Sequence, residues 1–464
     1  MEMIWLGLFP QWYVPNFGSG YVVAWIASIH VLFSHISVGA SFLLAYWVTL
    51  AYKHHKPELL PYVRNNFFTL LFTSYIIGSL TGPGIWFSTT VANPRGISEL
   101  IHNFMWVWAA EWVWFVTEVT LVYVLVYMFY KVSLKTYMHL AWVFAIVSWG
   151  TMLIIVGILS FMLSPGSEAW YTTGNVMQAF YNPNYFPHLF MRTGFMLALG
   201  ALFGLGLARN IRQPDLRFWV IRRLSFWGAA GIIFGGIFLP VYFYTLPDRA
   251  RITLDTVIPL SVKLSIITGM GLLLLTFVLL FTRPRLNPAL GFALILSVVT
   301  LFLAIYPQER VREWLRKPYI AGDYLYVNQI IARDVPARGI QSELDTIDTN
   351  GFLKVHPFVP ASLKTVTPEN MLEAGRAMAL VSCAACHSLD ASGPRPLVLR
   401  MQGLTNPEAV ETFITARLSG DSAHGGAPYM PKLVGTPEEI KALSLYLAHL
   451  NQRYAQSSLT ATGR

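Results

Sequence analysis

The sequence predicts an all-α protein in which a polytopic bundle of about eight transmembrane helices precedes a small α-helical domain. Hydrophobic residues make up 55% of the chain, charged residues only 12%, and the mean hydropathy is +0.50. This balance lies outside the range of soluble globular proteins and requires membrane helices. The apolar stretches end near Pro307. We therefore divide the chain into a membrane bundle (1–325), a linker and docking segment (326–366) and a terminal domain (367–464).

Eight apolar stretches are each long enough to cross a hydrocarbon core about 30 Å thick. They are predicted at 20–52, 65–91, 101–130, 137–163, 187–208, 218–245, 256–282 and 287–307. No basic segment precedes the first stretch, which is also too long for a signal peptide, so no cleavage is expected.

Lysine and arginine are distributed unevenly over the loops. The loops after the odd-numbered stretches carry twelve of them, whereas the opposite loops carry three, Arg95, Arg249 and Arg251. Loops rich in Lys and Arg stay in the cytoplasm. The chain is therefore predicted to lie in the bacterial inner membrane with both termini on the periplasmic side. The net charge of +9 is explained by this orientation and does not indicate nucleic-acid binding.

The two cysteines of the chain stand in Cys383-Ala384-Ala385-Cys386-His387. This spacing lets both thiols bond to the vinyl groups of one haem while the following histidine binds its iron. A redox pair of cysteines would not need His387. A zinc site would need two further ligands at matching spacing, which the sequence lacks. The motif therefore predicts one covalent haem c, held outside the cytoplasm in agreement with the loop charges.

Met430 follows about forty residues later, in Ala427-Pro428-Tyr429-Met430-Pro431. A methionine in a loop usually serves packing, but Met/His ligation is typical of electron-transfer cytochromes c. Met430 is therefore predicted as the second axial ligand. The helices that begin near Pro368 and Pro437 are predicted to cross at Gly375, as in small class I cytochromes c.

Ionisable residues inside membrane helices are costly and usually functional. His30 and His35 lie five positions apart in the first stretch, so they point in different directions. Glu111 and Glu118, seven positions apart, share one face of the third. A buried imidazole near a carboxylate favours haem iron. Three boundary residues are explained equally well by contacts with lipid headgroups: His139, Arg192 and Lys263.

The order of several segments resembles subunit I of the cytochrome bd-type oxidases, from the first helix to about residue 325. The matching segments are His30 to Ala45, Ala110-Glu111 with Glu118, Met138-His139, Phe186-Pro187-His188 and Glu313-Trp314-Leu315-Arg316-Lys317-Pro318-Tyr319. The last of these resembles a signature of the family.

The resemblance implies a role for each matching position. His30 is implied as an iron ligand at the active haems and His188 as the ligand of a low-spin haem b. Catalytic roles are implied for Glu111, Glu118 and Glu313, and cofactor contact for Arg316. Two further candidate iron ligands are His35 and His139. The cofactors implied are one or more haem b groups, with haem d as an additional candidate.

The sequence also departs from that family. The methionine expected in the seventh helix is replaced by Ser265 or Ile267, with Met270 about one turn away. The long quinol-binding loop is reduced to about ten residues at 245–255, and the ninth helix is replaced by the cytochrome c tail. We identify the chain as resembling a branch that carries a C-terminal class I cytochrome c and exchanges electrons through it.

Two functions remain open at this stage. In the first, an oxidoreductase passes electrons from a periplasmic cytochrome or similar carrier to membrane haems and reduces dioxygen or a similar small oxidant. In the second, every haem is fully ligated, and an electron-transfer subunit links the quinone pool or a partner enzyme to periplasmic carriers. Expected partners are a second integral membrane subunit or another copy of the chain. A transporter is disfavoured, because no helix pair broken by Gly or Pro indicates a midplane substrate site.

Overall fold

The computed structural model describes residues 12–16, 18–166, 168–286, 288–389, 391–393, 395–401, 403–420 and 426–462. Within these ranges, eight helices are long and apolar enough to cross a membrane. This confirms the predicted polytopic helical bundle. The helices are α1 (Ser19–Lys53), α2 (Pro57–Ala92), α3 (Pro94–Met128), α4 (Leu134–Phe161), α5 (Tyr185–Ala208), α6 (Pro214–Tyr244), α7 (Leu260–Thr282) and α8 (Leu290–Arg316).

Helix α5 lies at the centre of the bundle and packs against both α1 and α6. A Cβ atom at Gly200 would approach the carbonyl carbon of Gly39 in α1 to 2.3 Å, and one at Gly194 would approach the backbone nitrogen of Gly235 in α6 to 2.4 Å. Small residues let helix backbones approach closely in membranes, where van der Waals packing drives association. The close crossings bring α5 and its buried residues against α1.

Helix α8 continues beyond the predicted end of the apolar stretch at Pro307. A π-helical turn at Leu301–Ile305 precedes the proline, and the helix then runs on as Tyr306–Arg316. A π-helical turn interrupts the regular hydrogen-bond ladder, which is where a helix tolerates an inserted proline. The continued helix carries Glu309 and Glu313 towards the tail.

The three arginines predicted on the tail side of the membrane are all paired with carboxylates. Arg95 lies 2.7 Å from Glu343, and Arg249 and Arg251 pair with Asp323 and Asp248. Their positive charges are therefore compensated locally by protein.

The tail begins with a two-stranded antiparallel hairpin, β1 (Tyr319–Ala321) and β2 (Leu325–Tyr326). The tail helices that follow are α9 (Leu344–Asn350), α10 (Phe352–Val355), α11 (Met371–Ser382), α12 (Leu397–Arg400), α13 (Pro407–Arg417) and α14 (Pro437–Thr462). Segment 326–366, the predicted linker and docking segment, forms short helices and adds Ile347, Phe352 and Leu363 to the hydrophobic core that α11 and α14 share.

The predicted crossing of two tail helices at Gly375 is confirmed. A Cβ atom at this position of α11 would lie 2.0 Å from the carbonyl oxygen of Ala442 in α14 and 2.8 Å from the Cβ atom of Tyr446. Such distances leave no room for any side chain. Glycine is therefore required for α11 to approach α14 this closely.

We expect Gly375→Val to destabilise the tail by about 1–3 kcal/mol or more, because overpacking at a close contact forces the backbones apart. Hydrogen–deuterium exchange in α11 and α14 of the full chain measures the effect. Gly271→Ala is the control, since nothing lies within 4 Å of its added Cβ atom, and it should stabilise α7 by up to about 1 kcal/mol. Unchanged exchange in Gly375→Val would contradict the crossing.

The buried carboxylate of Glu439 joins segment 326–366 to α14. It accepts hydrogen bonds from the backbone nitrogens of Phe352 and Leu353, both at 2.7 Å, and from that of Thr436 at 3.1 Å. Its side chain lies where the N-termini of α10 and α14 meet. Carboxylates are favoured at helix N-termini because they satisfy backbone donors and the helix dipole.

Glu439→Gln is expected to cost about 1.5–3 kcal/mol, since hydrogen bonds to a charged acceptor are lost and one amide oxygen cannot replace two carboxylate oxygens. The exposed neighbour in the same turn provides the control, Glu438→Gln, for which an effect below about 1 kcal/mol is expected. Thermal unfolding of the two variants in detergent compares them. Equal midpoints would show that the buried carboxylate is dispensable.

Candidate functional site

The largest cavity described here lies between the bundle and the tail and encloses about 880 Å³. We call it the interdomain cavity. Cys383, Cys386, His387 and Met430 all line it from the tail, and the N-terminal end of α7 and the end of α8 close it from the bundle. Ligand cavities usually enclose about 300–1,000 Å³, so a porphyrin fits this volume.

Local folding brings the motif residues to the cavity wall. Helix α11 ends at Ser382, and the backbone nitrogens of Cys386 and His387 donate hydrogen bonds back to the carbonyl oxygen of Cys383. Both cysteines are free thiols, and burial raises the pKa of the Cys383 thiol to about 12. The thiols of Cys383 and Cys386 and the imidazole of His387 therefore line the same interdomain cavity.

The imidazole of His387 is held in one orientation. Its Nδ1 lies 2.9 Å from the carbonyl oxygen of Arg395, which can only accept, so Nδ1 carries the proton. Burial lowers the pKa of His387 to about 4, which keeps the ring neutral. A histidine fixed through Nδ1 in this way offers Nε2 as the metal ligand.

The charge of the cavity wall also suits haem, whose two propionates are anionic. Six basic residues line the cavity, and none of the described lining residues is Asp or Glu: Arg310, Lys317, Arg395, Arg400, Arg417 and Lys432. Arginine is well suited to carboxylate recognition because it offers several planar donors. Over the ranges that the structure covers, no group of three or more His, Cys, Asp and Glu is arranged to bind a metal.

A small contact connects this site to α8. The guanidinium of Arg395 lies 3.9 Å from the ring centroid of Trp314 and 3.5 Å from the carboxylate of Glu313, which also pairs with Lys317 at 3.3 Å. Trp314 itself contacts Tyr429 at a centroid distance of 6.1 Å and lines the interdomain cavity. The residue that orients His387 through its backbone is thus fixed through its side chain to the membrane bundle.

Glu313, one of the three predicted catalytic carboxylates, lies near the end of α8 and contacts the tail residue Arg395. Glu118 faces the interior of the bundle, where its carboxylate accepts hydrogen bonds from Tyr75 and Ser148, both at 2.6 Å. Glu111 is half-buried on the same helix. Glu111 and Glu118 therefore lie on α3, whereas Glu313 lies on α8.

The candidate histidines occupy different environments. Nδ1 of His30 lies 3.0 Å from the hydroxyl of Thr81 in α2, and His35 faces α5 and α8. The two therefore point apart, as predicted. His139 is exposed near the start of α4, as expected for a headgroup contact, and His188 is buried in α5.

Arg192, considered above as a headgroup contact, is instead buried in a cluster of charged groups. Its Nε donates to Nε2 of His188 at 2.7 Å, and its terminal nitrogen lies 3.2 Å from Glu309. Arg312 pairs with the other oxygen of Glu309 at 2.8 Å. His35 lines the adjacent cavity, so the cluster joins α1, α5 and α8 at one point inside the bundle.

The space beside His35 is smaller than a haem needs. The cavity that His35, Met270 and Glu309 line encloses only about 50 Å³, whereas a porphyrin needs several times that volume. Nε2 of His188 accepts a hydrogen bond from Arg192. We therefore assign no step of a reaction to a haem at His35 or His188.

Three residues of these sites were not predicted: Glu309, Arg312 and Arg395. A signal for two of them exists in the sequence, because Glu309 and Arg312, like Glu313 and Arg316, carry opposite charges three positions apart. That pattern is typical of a helix face with paired side chains. Nothing in the sequence marks Arg395, whose partners in α8 are distant along the chain.

Comparison with known proteins gives one informative result. No protein-family profile and no curated protein sequence matches the chain. Among solved structures, it is similar to the bd oxidase from Geobacillus thermodenitrificans, with 12% sequence identity and a TM-score of 0.54, over 65% of this chain and 87% of that one. At this identity the likeness shows a distant bd-oxidase-like fold, and it concerns the fold alone.

Proposed function

We propose that the chain is a membrane-bound oxidoreductase that carries electrons through one covalent haem c in the interdomain cavity. The observation that carries this proposal is that Cys383, Cys386, His387 and Met430 line a single cavity of porphyrin size. The bd-oxidase-like fold of the bundle supports the assignment to membrane redox proteins. We place the tail on the periplasmic side, in line with the loop charges.

Each residue has a defined part in this proposal. A haem bound here supplies reversible one-electron transfer. Cys383 and Cys386 would hold the macrocycle and His387 and Met430 would bind its iron, while the carbonyl oxygen of Arg395 keeps the imidazole oriented by accepting the hydrogen bond from Nδ1. A thioether ligand favours the reduced state and raises the potential.

The proposal is tested on the purified full chain. Its mass should exceed that of the 52.2 kDa polypeptide by one haem, and reduction should give the spectrum of a c-type cytochrome. Met430→Leu should keep the haem attached but lower its reduction potential and abolish the spectral features of methionine ligation. A chain with the mass of the polypeptide alone, expressed in a host that matures cytochromes c, would reject the proposal.

A second candidate function is the reduction of dioxygen or a similar small oxidant, which the likeness to a bd oxidase favours. It requires an additional iron with an open coordination position, together with a membrane partner or a second copy that completes its site. Carbon monoxide distinguishes the two functions. A carbon monoxide shift in the reduced spectrum of a non-covalent haem would support the oxidase, and its absence would leave electron transfer through haem c.

A further inference from the structure

Three small cavities lie one after another between the tail and the charged cluster of the bundle. The outer cavity, of about 20 Å³, is lined by Glu313, Ala385 and His387. The middle cavity, of about 130 Å³, lies between α1, α3 and α8 and is lined by Ala24, Glu309 and Arg316. The inner cavity, of about 50 Å³, is lined by His35, Met270 and Glu309.

Neighbouring cavities share parts of their walls. Glu313, Ser19, Gly20 and Ala385 line both the outer and the middle cavity. Glu309 lines both the middle and the inner cavity. Glu309 and Glu313 lie four positions apart on α8, which is about one helical turn. Each carboxylate lines two neighbouring cavities.

The size and polarity of the three cavities suit water. A cavity needs about 10–15 Å³ for one water molecule, together with two to four polar partners. The middle cavity is lined by the hydroxyl-bearing Ser19 and Thr89 and by the charged Arg312 and Arg316, besides the two carboxylates. Each of the three volumes therefore accommodates at least one water molecule.

Two buried polar atoms along this line have no protein hydrogen-bond partner. They are a terminal nitrogen of Arg312 and Nε of Arg316, both residues lining the middle cavity. Buried polar atoms in native proteins almost always have a protein or water partner. The unpaired atoms thus point to water at the positions where the cavities lie.

We propose that the three cavities form a hydrated passage that admits water from the tail side of the bundle to Glu309 and His35. The passage opens beside the motif that contains Cys386 and His387 and ends at the Arg192–Glu309 ion pair. Ordered water at a charged cluster is a route for proton exchange. Water in the middle and inner cavities can be tested apart from haem c, because neither cavity is lined by Cys383, Cys386, His387 or Met430.

Radiolytic labelling with isotopic water tests the passage in the unmodified full chain, because hydroxyl radicals formed from internal water oxidise the nearest methionines. Met162 lines the middle cavity and Met270 the inner cavity. Met191 and Met152, 0% and 4% exposed, are buried in hydrophobic clusters and serve as controls. We expect Met162 and Met270 to take up the label several-fold faster than both controls.

Ala24→Leu provides a second arm, since the larger side chain fills the middle cavity. It should lower labelling of Met162 and Met270 while leaving the controls unchanged. Labelling of Met270 no faster than Met191 in the unmodified chain would overturn the passage, and this comparison holds whether or not the variant folds. Unchanged labelling in a folded Ala24→Leu variant would equally overturn it, since water would then arrive by another way.

Discussion

Replacing both Cys383 and Cys386 with serine is expected to abolish the proposed covalent haem, so that the denatured chain migrates without haem staining and has the mass of the polypeptide alone. Serine keeps the size and polarity of the side chain but forms no thioether bond to a vinyl group. The expected loss is complete, because the described chain contains no other cysteine. Haem staining after denaturing electrophoresis and mass spectrometry measure it.

The matched control is Met430→Leu, which removes a cavity-lining sulphur atom without touching the attachment. It should stain for haem as strongly as the unmodified chain. Covalent haem in the double serine variant would show that attachment takes place elsewhere. Loss of staining in both variants would indicate a misfolded tail, which exchange measurements on α11 and α14 would detect independently.

Glu343→Gln is expected to destabilise the full chain by about 3–5 kcal/mol, because it leaves the charge of Arg95 buried without its partner. Arg95 and Glu343 form a bidentate ion pair, in which the two terminal guanidinium nitrogens lie 2.7 and 2.8 Å from the two carboxylate oxygens. Both side chains are 3% exposed. The same carboxylate accepts from the backbone nitrogen of Ile331 at 2.9 Å. Thermal unfolding in detergent and protease cleavage within 326–366 measure the loss.

An exposed ion pair gives the comparison. Lys56 and Glu58 lie 3.9 Å apart with side chains 40% and 34% exposed, so Glu58→Gln should change stability by less than about 1 kcal/mol. The double variant Arg95→Met with Glu343→Leu should recover much of the loss, since a buried ion pair can be replaced by apolar residues of similar volume. Equal stability of Glu343→Gln and Glu58→Gln would refute the role of the buried pair.

The elements that follow from local pattern could be predicted from the sequence. The eight membrane helices follow from the length of the apolar stretches, and the crossing at Gly375 follows from the absence of a side chain there. The opposite directions of His30 and His35 follow from the helical period. In each case a periodic or steric property of a short segment decides the outcome.

The features that depend on contacts between distant segments could not be predicted. The length of α8 depends on a π-helical turn, which the apolar pattern of Leu301–Ile305 does not reveal. The position of Glu313 depends on Arg395 and Lys317. Whether Arg192 reaches headgroups or a buried partner depends on Glu309, more than a hundred residues away.

The tail is fastened to the bundle at several separate points, through Glu343 on Arg95, Asp323 on Arg249 and Arg395 on Glu313. These ion pairs fix the position of the tail relative to the bundle, so the tail is not expected to move between separate partners as a flexibly linked domain does. In the proposed function, electron partners would therefore bind the tail at one fixed position, and the rate of electron exchange would depend on their encounter with it and on ionic strength.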